Sequence, residues 1–405
     1  MKKILYPLSI AAICFVFFAA CADDDFWSTI IPETDDDATQ KQVSTFVFIP
    51  GLMDADDNRV GQLRVPVGFQ IEKFAEGLTK PRMMLTNSTG QTYVTSREAG
   101  LVYLLEDTTG DGKADRIETV AEIEEAHGLA IRENQLYIVA VKELYVADMA
   151  ADGSLGAPQL LNGNLPDGGQ HPNRTMGFGP DGMLYISIGS TCNSCPEPNP
   201  LHATMLRGNP DGTGMQIYAK GLRNTVGFDW HPETGDFWGM DHGIDMLGDE
   251  QQMEELNLIA EGGNYGWPYI YDNGRYNPYP RPENMTYQEY SAMTTFPHLL
   301  HTAHAAPMAM VFYNGGQFPE DYNGDAFVAF RGSWNRSRPS GYNVGRVRFS
   351  NGQPTAIEDF VTGFLVDNNR SHFARPVGLT VMQDGSLLLS EDTNGVVYRI
   401  HYVGQ

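Results

Sequence analysis

Residues 168–190 of this chain read GGQHPNRTMGFGPDGMLYISIGS, and their second half contains the pattern that decides the fold. Pro180, Asp181 and Gly182 predict a tight turn, with glycine where a positive φ is needed. The run over 183–189 alternates and is rich in β-favouring residues, so it predicts a strand. An apolar segment, a polar turn and a β run therefore form one structural unit.

This unit recurs about six times at irregular spacing. The copies are MMLTNSTGQTYVTS (83–96), LAIRENQLYIVAV (129–141), MGFGPDGMLYISIG (176–189), VGFDWHPETGDFWGM (226–240), MVFYNGGQFPEDYNGDAFVAF (310–330) and VGLTVMQDGSLLLSE (377–391). Repeated sheets of this kind indicate an all-β chain folded as a six-bladed β-propeller. GFQIEKFAEG at 68–77 is expected to complete the last blade beside VVYRIHYV at 396–403. A jelly roll or two β-sandwiches is the alternative.

The first 20 residues have the pattern of an export signal. Lys2 and Lys3 precede an apolar run that is too short to span a bilayer. The run ends in FAAC, which resembles a bacterial lipobox without its usual first Leu. Cleavage there would leave Cys21 lipidated, and acyl chains anchor a protein without a spanning helix. We therefore predict a signal peptide (1–20) and an exported protein anchored by lipid to the bacterial cell envelope, at a periplasmic or outer-membrane face.

The remaining chain divides by composition. Residues 21–45 are acidic and polar, and such a segment cannot bury enough apolar surface to order itself, so a flexible tether is expected. Residues 46–405 show no internal linker and are predicted to form a single propeller domain. The net charge of −24 disfavours nucleic acid and anionic lipid as partners, leaving the lipid anchor as the expected contact with the membrane.

Two cysteines remain besides Cys21, in the sequence CNSC. Covalent haem attachment needs His after the second cysteine, where Pro196 stands, and a two-cysteine zinc site lacks a second pair. In an exported protein we therefore predict a disulfide between Cys192 and Cys195.

Acidic residues over 107–118 match the spacing of a calcium-binding loop. Asp107, Asp111, Asp115 and Glu118 occupy its positions 1, 5, 9 and 12, and Gly112 occupies position 6. This is a possible structural calcium site. The alternative is an acidic hairpin turn between two strands.

Histidine and arginine provide the other candidates. His171 lies in a loop before a strand, where catalytic residues are often found, although it could simply bond a backbone carbonyl. His298, His301 and His304 recur every third residue and could bind a transition metal from one face of a helix. Nearby prolines leave little room for a helix, so we expect instead that one of them lines a pocket. Five arginines lie in Gly/Pro/Asn-rich loops that could meet at the propeller mouth and bind carboxylates or phosphates. They are Arg223, Arg331, Arg336, Arg338 and Arg375. The alternative is surface arginines paired with the many acids.

The motifs GGQHPNRTMGFGPDG, GLRNTVGFDWHPETGDFW, GGNYGWPY, HAAPMAMVFY, FRGSWNRSRPSGY and ARPVGL occur in the order seen in the sorbosone dehydrogenase family. This family is related to the soluble glucose and aldose dehydrogenases that depend on pyrroloquinoline quinone (PQQ). The resemblance covers about residue 65 to the C-terminus. It implies a six-bladed propeller that uses PQQ and calcium to oxidise the C1 hydroxyl of an aldose or aldehyde hydrate. Electrons would pass to an external acceptor, a quinone or a cytochrome.

The resemblance also implies residue roles. His171 matches the base that takes the proton of the substrate hydroxyl while hydride passes to the quinone. Arg223 and Asn224 match the pair that contacts the cofactor's carbonyl region, where positive charge stabilises a developing anion. Gly243 and Ile244 match the backbone carbonyls that hold calcium, a Lewis acid toward the quinone.

Further matched positions bind the cofactor. Arg336, or its neighbour Asn335, and Arg375 match cations that bind the PQQ carboxylates, and His304 matches a polar cofactor contact.

This chain departs from the pattern at four positions. Ser190 stands where the glucose dehydrogenases have an acid, Asn335 where they have Lys, Phe373 where they have Arg, and Ile244 where they have Pro. Support for His171 is therefore expected from another residue, and PQQ affinity is open. The rival functions are a calcium-dependent lactonase-like propeller hydrolase, favoured by a channel lined with Glu, Asn and Asp, and a non-catalytic surface binding propeller.

Overall fold

Antiparallel strands form most of the regular structure in the computed structural model, which describes residues 46–278 and 280–404. Helix in these ranges is limited to α1 (Asp57–Val60), α2 (Tyr287–Ser291) and a 3-10 turn at Glu320–Tyr322. The all-β prediction is confirmed. Neither described helix is long or apolar enough to cross a bilayer.

The strands share a short length, at most nine residues. In the first half of the chain they are β1 (Gly51–Leu52), β2 (Phe69–Ala75), β3 (Met84–Thr86), β4 (Thr92–Ser96), β5 (Leu101–Glu106), β6 (Arg116–Glu122), β7 (Gly128–Arg132), β8 (Gln135–Val139), β9 (Leu144–Asp148), β10 (Gln159–Asn162), β11 (Met176–Phe178), β12 (Leu184–Ile188), β13 (Thr204–Gly208) and β14 (Gln216–Lys220). In the second half they are β15 (Gly227–Trp230), β16 (Phe237–Asp241), β17 (Glu254–Leu258), β18 (Ile270–Tyr271), β19 (Arg275–Tyr276), β20 (Leu299–His301), β21 (Pro307–Phe312), β22 (Ala326–Phe330), β23 (Asn343–Ser350), β24 (Gln353–Val361), β25 (Leu365–Val366), β26 (Ser371–His372), β27 (Pro376–Val381), β28 (Leu387–Glu391) and β29 (Val397–Tyr402).

Six four-stranded antiparallel sheets are found in the described part of the chain. Sheet 1 contains β3–β6, sheet 2 β7–β10, sheet 3 β11–β14, sheet 4 β15, β16, β17 and β20, sheet 5 β21–β24, and sheet 6 β27, β28, β29 and β2, each hydrogen-bonded in that order. Each of the six repeated sequence units supplies the first two strands of one sheet. The prediction of repeated four-stranded units is thereby confirmed.

The focal stretch folds as the turn chemistry predicts. The N–H of Gly182 donates to the carbonyl of Gly179 at 2.8 Å, and Gly182 has φ of 72°. Asp181 accepts a hydrogen bond from the N–H of Met183, which stabilises the turn. β11 and β12 leave this turn in antiparallel register, with Phe178 opposite Leu184.

The second strand of a sheet is its most buried one. Every residue of β4, β12, β16, β22 and β28 is buried. Such strands have a neighbouring sheet on each face, so apolar residues are favoured on both. The outer strands β6 and β14 are mostly exposed and carry more polar residues.

The first strands of all six sheets surround a central cavity of about 270 Å³, lined among others by Leu85, Ala130, Gly177, Asp229, Val311 and Leu379. β3 contacts β7 and β27, β7 contacts β11, and β21 contacts β15 and β27. Gly177 of β11 lies so close to Trp230 of β15 that an added Cβ would be 2.8 Å from the indole ring. This radial order is that of a β-propeller.

Sheet 6 combines an early strand with the last one. β2, from the amino-terminal part, pairs with β29, the last strand, with Phe69 opposite Tyr402. The prediction that GFQIEKFAEG completes the sheet of the C-terminal strand is confirmed.

Antiparallel pairing also explains where the loops meet. The start of a first strand and the end of the second strand lie at the same end of their sheet. The segments before β3, β11, β15, β21 and β27 and those after β4, β16, β22 and β28 therefore gather at one end of the ring and form its mouth.

The predicted calcium loop needs correction. Asp107 accepts from the N–H groups of Gly110 and Gly112, and Asp115 accepts from Thr108. Glu118 projects from β6 and bonds Arg116. The carboxylates cap a hairpin turn between β5 and β6 and do not converge, so the acidic-turn alternative applies to Asp107, Asp111, Asp115 and Glu118. No cluster of three or more metal-binding side chains occurs in the described ranges.

The signal peptide, the lipidation site Cys21 and the tether lie outside the described residues.

Candidate active site

A cavity of about 330 Å³ opens among the mouth loops. It contains eight of the residues predicted from sequence, contributed by sheets 3 to 6: His171, Arg223, Asn224, Gly243, His304, Arg331, Asn335 and Arg375. Thirteen further residues line it: Lys80, Arg82, Arg97, Glu98, Asn173, His242, Asp245, Glu254, Ala306, Met308, Gly332, Trp334 and Asp392.

His171 is held at its Nδ1 atom. Nδ1 lies 2.8 Å from Ser190 Oγ and 3.0 Å from the Ser190 carbonyl oxygen. A carbonyl only accepts, and Ser190 Oγ donates onward to the Cys192 carbonyl at 2.9 Å, so Nδ1 carries the proton. Nε2 is then the unprotonated nitrogen of the ring.

The position of His171 depends on a close approach. It packs against Gly189, where an added Cβ would lie 2.6 Å from the His171 Cβ. Burial, followed by the charge of Arg223, lowers the pKa of His171 to about 2. The imidazole is therefore neutral at any physiological pH.

Arg223 and Asn224 are positioned through their backbone. Asp241, at the end of β16, accepts from the N–H of Arg223 at 2.8 Å, from the N–H of Asn224 at 2.7 Å and from the Thr225 hydroxyl at 2.9 Å. Burial raises the pKa of Asp241 to about 6. This carboxyl fixes the turn that carries both side chains to the cavity wall.

The guanidinium of Arg223 is held by the loop between the two cysteines. Its Nε donates to the Asn193 carbonyl at 3.0 Å and its Nη2 to Asn193 Oδ1 at 2.9 Å. Asn193 lies within the disulfide Cys192–Cys195, whose Cα atoms are 6.1 Å apart. The CNSC motif thus fixes a cation of the cavity, a role that its sequence alone did not suggest.

Arg82 and Arg331 share one carboxylate. Both donate to Asp392, which follows β28, and Arg331 Nε lies 2.9 Å from Asp392 Oδ2. Arg375 donates to the carbonyls of Arg331 at 3.2 Å and Gly332 at 2.6 Å, and forms no ion pair within the described ranges. Two guanidiniums therefore share a single carboxylate, and the third is held beside Arg331 by backbone carbonyls.

Arg82 was not among the residues predicted from sequence. The sequence did contain a signal for it. KPRMM places Arg82 just before the first strand of one repeated unit, and Arg223 and Arg375 stand just before the first strands of two others. Aligning the units by their turns would have predicted it. His242, at the end of β16, was also missed; its Nε2 donates to the Pro307 carbonyl.

Arg336 does not line the cavity. Its guanidinium bonds Glu250 at 2.7 Å and the Ala303 carbonyl at 3.2 Å. The neighbouring Asn335 faces the cavity instead, with Nδ2 donating to Asp245 at 3.0 Å and Oδ1 buried without a partner. Of the two alternatives in SWNR, the geometry favours Asn335.

The turn at Gly243 and Ile244 is fixed by its N–H groups. Gly243 donates to Glu254 Oε2 at 3.0 Å and Ile244 to Gln252 Oε1 at 3.1 Å. Burial raises the pKa of Glu254 to about 8. Gly243 lines the cavity, whereas the side chain of Ile244 is fully buried behind it. Backbone carbonyls are among the oxygen ligands that a hard cation such as calcium prefers.

His304 reaches the cavity from the segment before β21. Its Nε2 donates to the Gly248 carbonyl at 2.7 Å, and burial lowers its pKa. Of the other two histidines in the trio, His301 stacks on Phe330 at 4.2 Å and His298 packs edge-on against Trp238 at 4.9 Å. The three do not share a metal site.

The cavity reverses the charge balance of the chain. Acidic residues outnumber Lys and Arg by 51 to 27 in the whole sequence. Among the residues that line the cavity, however, six are Lys or Arg and four are Asp or Glu. Such a cavity favours an anionic ligand.

Comparison with known proteins extends these findings. A profile of the family described as TrAA12-like matches residues 63–403. An uncharacterized protein of Borreliella burgdorferi is 28% identical over 382 residues, covering 89% of this chain and 96% of that protein. A pyrroloquinoline quinone-dependent sugar dehydrogenase of Hypocrea jecorina is 25% identical over 425 residues, covering 88% of this chain and 95% of that one.

Solved structures share the fold. The calcium structure of a family AA12 carbohydrate-active enzyme from Trichoderma reesei has a TM-score of 0.74 and 22% identity, covering 84% of this chain and 97% of that chain. The holo form of the PQQ domain of pyranose dehydrogenase from Coprinopsis cinerea has a TM-score of 0.72 and 21% identity, covering 88% and 100%.

Proposed function

Starting from the fact that this chain belongs to the TrAA12-like family, we propose that it is a PQQ- and calcium-dependent dehydrogenase. Its substrate would be the C1 hydroxyl of an aldose or of an aldehyde hydrate such as hydrated sorbosone. The observation that carries this proposal is a neutral His171 with an unprotonated Nε2, beside Arg223, in a cationic cavity.

The donor set fits a tricarboxylated quinone. Arg375 has no acidic partner in the described ranges, and Arg82 and Arg331 share Asp392, so their combined charge is not neutralised. Guanidiniums bind carboxylates with two parallel hydrogen bonds. These three arginines would hold the carboxylates, and Asn335 would offer its unpartnered Oδ1 to a donor.

The remaining contacts follow from the turns. Arg223 and Asn224 would contact the carbonyl region, His304 would add a polar contact, and the carbonyls of Gly243 and Ile244 would hold calcium. When bound, PQQ would supply a two-electron acceptor next to the base.

His171 would take the proton of the substrate hydroxyl at Nε2. Ser190 keeps Nδ1 protonated, so the free lone pair stays at Nε2. Arg223 is the second cause of the low pKa of His171, and a bound anion beside that guanidinium would raise the pKa again. The base would thus be strengthened when the site is loaded.

The hydrolase alternative has less support. Its carboxylates and amides would need to be free to bind calcium and activate water. Here Asp245 bonds Asn335, and Glu254 accepts from the N–H groups of Gly243 and Ala306. A binding propeller without activity remains the outcome to expect if no cofactor binds.

Several finer statements belong to the same proposal. The six described sheets would be the blades of a closed six-bladed, single-domain propeller over 46–405. FAAC at the end of the apolar run supports export and lipidation of Cys21. Cys21→Ser should then release the protein from the membrane fraction, and unchanged fractionation would exclude the anchor. The electrons would leave to an external quinone or cytochrome.

Reconstitution tests the function. The purified protein, stripped of metal by a chelator, is titrated with PQQ in the presence and absence of calcium, and dye reduction is followed with a panel of aldoses. We expect tight binding that needs calcium, and sugar-dependent reduction. Arg375→Gln should weaken binding by about tenfold or more, since a charge-assisted hydrogen bond contributes roughly 1.5–3 kcal/mol. Arg370→Gln, at an exposed arginine, is the matched control. Failure of the parent protein to bind PQQ would refute the proposal.

A further inference from the structure

Arg174 is a charged residue in an unusual environment. It follows His171 by three residues and its exposed fraction is 0%. Arginine is almost never fully buried unless paired, yet Arg174 forms no ion pair in the described part of the chain. It does not line the active-site cavity either.

Its guanidinium bonds three backbone carbonyls. Nη1 donates to His171 at 2.9 Å, and Nη2 donates to Pro166 at 3.2 Å and to Asp167 at 2.7 Å. All three acceptors belong to residues 166–171, which form neither strand nor helix. One side chain therefore ties together both ends of the loop that carries the proposed base.

Arg174 is itself fixed from the neighbouring sheet. Its carbonyl accepts from Nδ1 of His127 at 2.8 Å, and Nε2 of His127 lies 3.3 Å from Nη2 of Arg82. Gly128 approaches so closely that an added Cβ would lie 2.7 Å from the Arg174 carbonyl oxygen. The loop is thus fixed to sheet 2 through the backbone of Arg174.

We propose that Arg174 is a positioning residue that sets the orientation of His171. The carbonyl of His171 is held by Arg174, while its N–H and Nδ1 are held by Ser190. Without the guanidinium, three backbone carbonyls of the loop lose their hydrogen-bond donor, and His171 can turn away from Ser190. Nδ1 and Nε2 would then exchange the proton freely. The effect on turnover rests on the proposed function, whereas the effect on the tautomer of the His171 imidazole does not.

The test compares Arg174→Ala and Arg174→Lys with Arg132→Ala. Arg132 is the matched control, because it donates to the Gly182 carbonyl in the turn between β11 and β12, the sheet that follows the His171 loop, but it does not contact that loop. Two quantities are measured: the tautomer of His171 by ¹⁵N NMR of the protein without cofactor, and kcat with the PQQ dissociation constant after reconstitution.

We expect a single Nδ1–H tautomer in the parent and in Arg132→Ala, and a mixture in Arg174→Ala. The kcat of Arg174→Ala should fall by up to about 10²-fold, as for a displaced catalytic group, with the PQQ dissociation constant changed less than threefold. Millimolar guanidinium should restore part of kcat, which would not happen if Arg174 served stability alone. Lysine, with one ammonium group for three carbonyls, should give an intermediate loss.

Three results would overturn the assignment. The first is an unchanged tautomer in Arg174→Ala. The second is a loss of kcat matched by an equal loss of cofactor affinity without rescue. The third is failure of both Arg174 variants to fold, which would show that Arg174 is required for folding and not specifically for the orientation of His171. If the parent binds no PQQ, the proposed function fails, and the tautomer measurement decides the role of Arg174 by itself.

Discussion

Nδ1 of His171 meets two acceptors from the same residue, the hydroxyl and the carbonyl of Ser190. The Ser190 hydroxyl donates its hydrogen bond to the Cys192 carbonyl, so neither oxygen of Ser190 can donate to the imidazole. A neutral serine therefore fixes the tautomer as an acid would. It does so without the negative charge that would raise the pKa of His171.

His171→Ala should reduce turnover far more than cofactor binding. Loss of a general base typically lowers the rate by about 10²- to 10⁴-fold, whereas His171 contributes no charge to hold a carboxylate. The measurement is kcat together with the PQQ dissociation constant, which should change less than threefold. His401→Ala, on β29 away from the cavity, is the control. Near-normal kcat in His171→Ala would remove this residue from the mechanism.

The buried His301 should make the protein acid-sensitive. Its ring stacks on Phe330, and burial lowers its pKa to about 4. An unfolded histidine titrates near 6.5, so acidification protonates the unfolded chain first and stability falls as the pH drops from about 6.5 toward 4. Each pH unit in this window costs up to about 1.4 kcal/mol.

His301→Phe keeps a stacked ring and removes the titration. Between pH 6.5 and pH 4.5 it should lose about 2–3 kcal/mol less stability than the parent. Urea unfolding at the two pH values measures the difference. An identical acid dependence in both proteins would show that His301 is protonated to the same extent folded and unfolded.

Single-residue roles were only partly predictable. The sequence placed His171 and Arg223 in loops beside the repeated units, whereas the roles of Asn224 and His304 came from the family resemblance. It could not decide between Asn335 and its neighbour Arg336, since adjacent loop residues point in different directions that depend on distant partners such as Glu250. Ser190 supports His171 itself, contrary to the expectation that support comes from another residue.

At the scale of elements, the CNSC segment connects a disulfide to an arginine of the cavity. Asn193 accepts from Arg223 through both its carbonyl and its side chain, and also contacts the backbone of Asp245 on the opposite side. The disulfide Cys192–Cys195 closes a small loop around this asparagine. The loop that the disulfide closes therefore holds the Arg223 guanidinium.

Replacing both cysteines by serine should separate these effects. Removal of so small a loop costs roughly 2 kcal/mol of stability by loop entropy. PQQ affinity should fall by about tenfold, because Arg223 loses its fixed position. Denaturant midpoints and cofactor titration are measured on the same preparation. Asn193→Ala, which keeps the disulfide, should reproduce the loss of affinity; unchanged affinity in both variants would contradict the role given to this loop.

The repeated units and the calcium loop show what a local pattern can predict. Alternation around a glycine turn reports backbone conformation, which is decided locally, and the six units fold as expected. The spacing of Asp107, Asp111 and Asp115 reports only where carboxylates occur along the chain. Whether they converge depends on the conformation of the turn. Here Asp107 accepts a hydrogen bond from the N–H of Gly110, and Asp115 accepts one from Thr108.

At the scale of the whole molecule, the site is built from distant parts of the chain. Arg82 comes from the segment before sheet 1, Arg331 follows a strand of sheet 5, and Asp392 follows a strand of sheet 6. Sheet 6 itself pairs β2 with the last strand, β29. The sequence predicted that pair of strands, but it did not predict that two arginines would share one carboxylate.

An aromatic cluster joins sheet 6 to sheet 5. Phe69 of β2 contacts Phe318 at 4.7 Å, Tyr322 at 5.1 Å, Phe360 at 5.2 Å and Tyr402 at 5.1 Å between ring centroids. Aromatic pairs in edge-to-face contact stabilise each other beyond the area they bury. The amino-terminal strand is thus held by packing as well as by its pairing with β29.

Phe69→Ala should weaken the attachment of β2 to sheets 5 and 6. A buried phenylalanine replaced by alanine typically costs about 3–5 kcal/mol, and Phe69 has an exposed fraction of 7%. The denaturant midpoint should fall by the corresponding amount with an unchanged slope, because we expect the sheets to unfold together. Val67→Ala, two residues earlier at an exposed fraction of 81%, should stay within about 0.5 kcal/mol of the parent. A separate early transition, or a midpoint equal to that of Val67→Ala, would mean that β2 is an attachment to the ring and that the remaining sheets are stable without it.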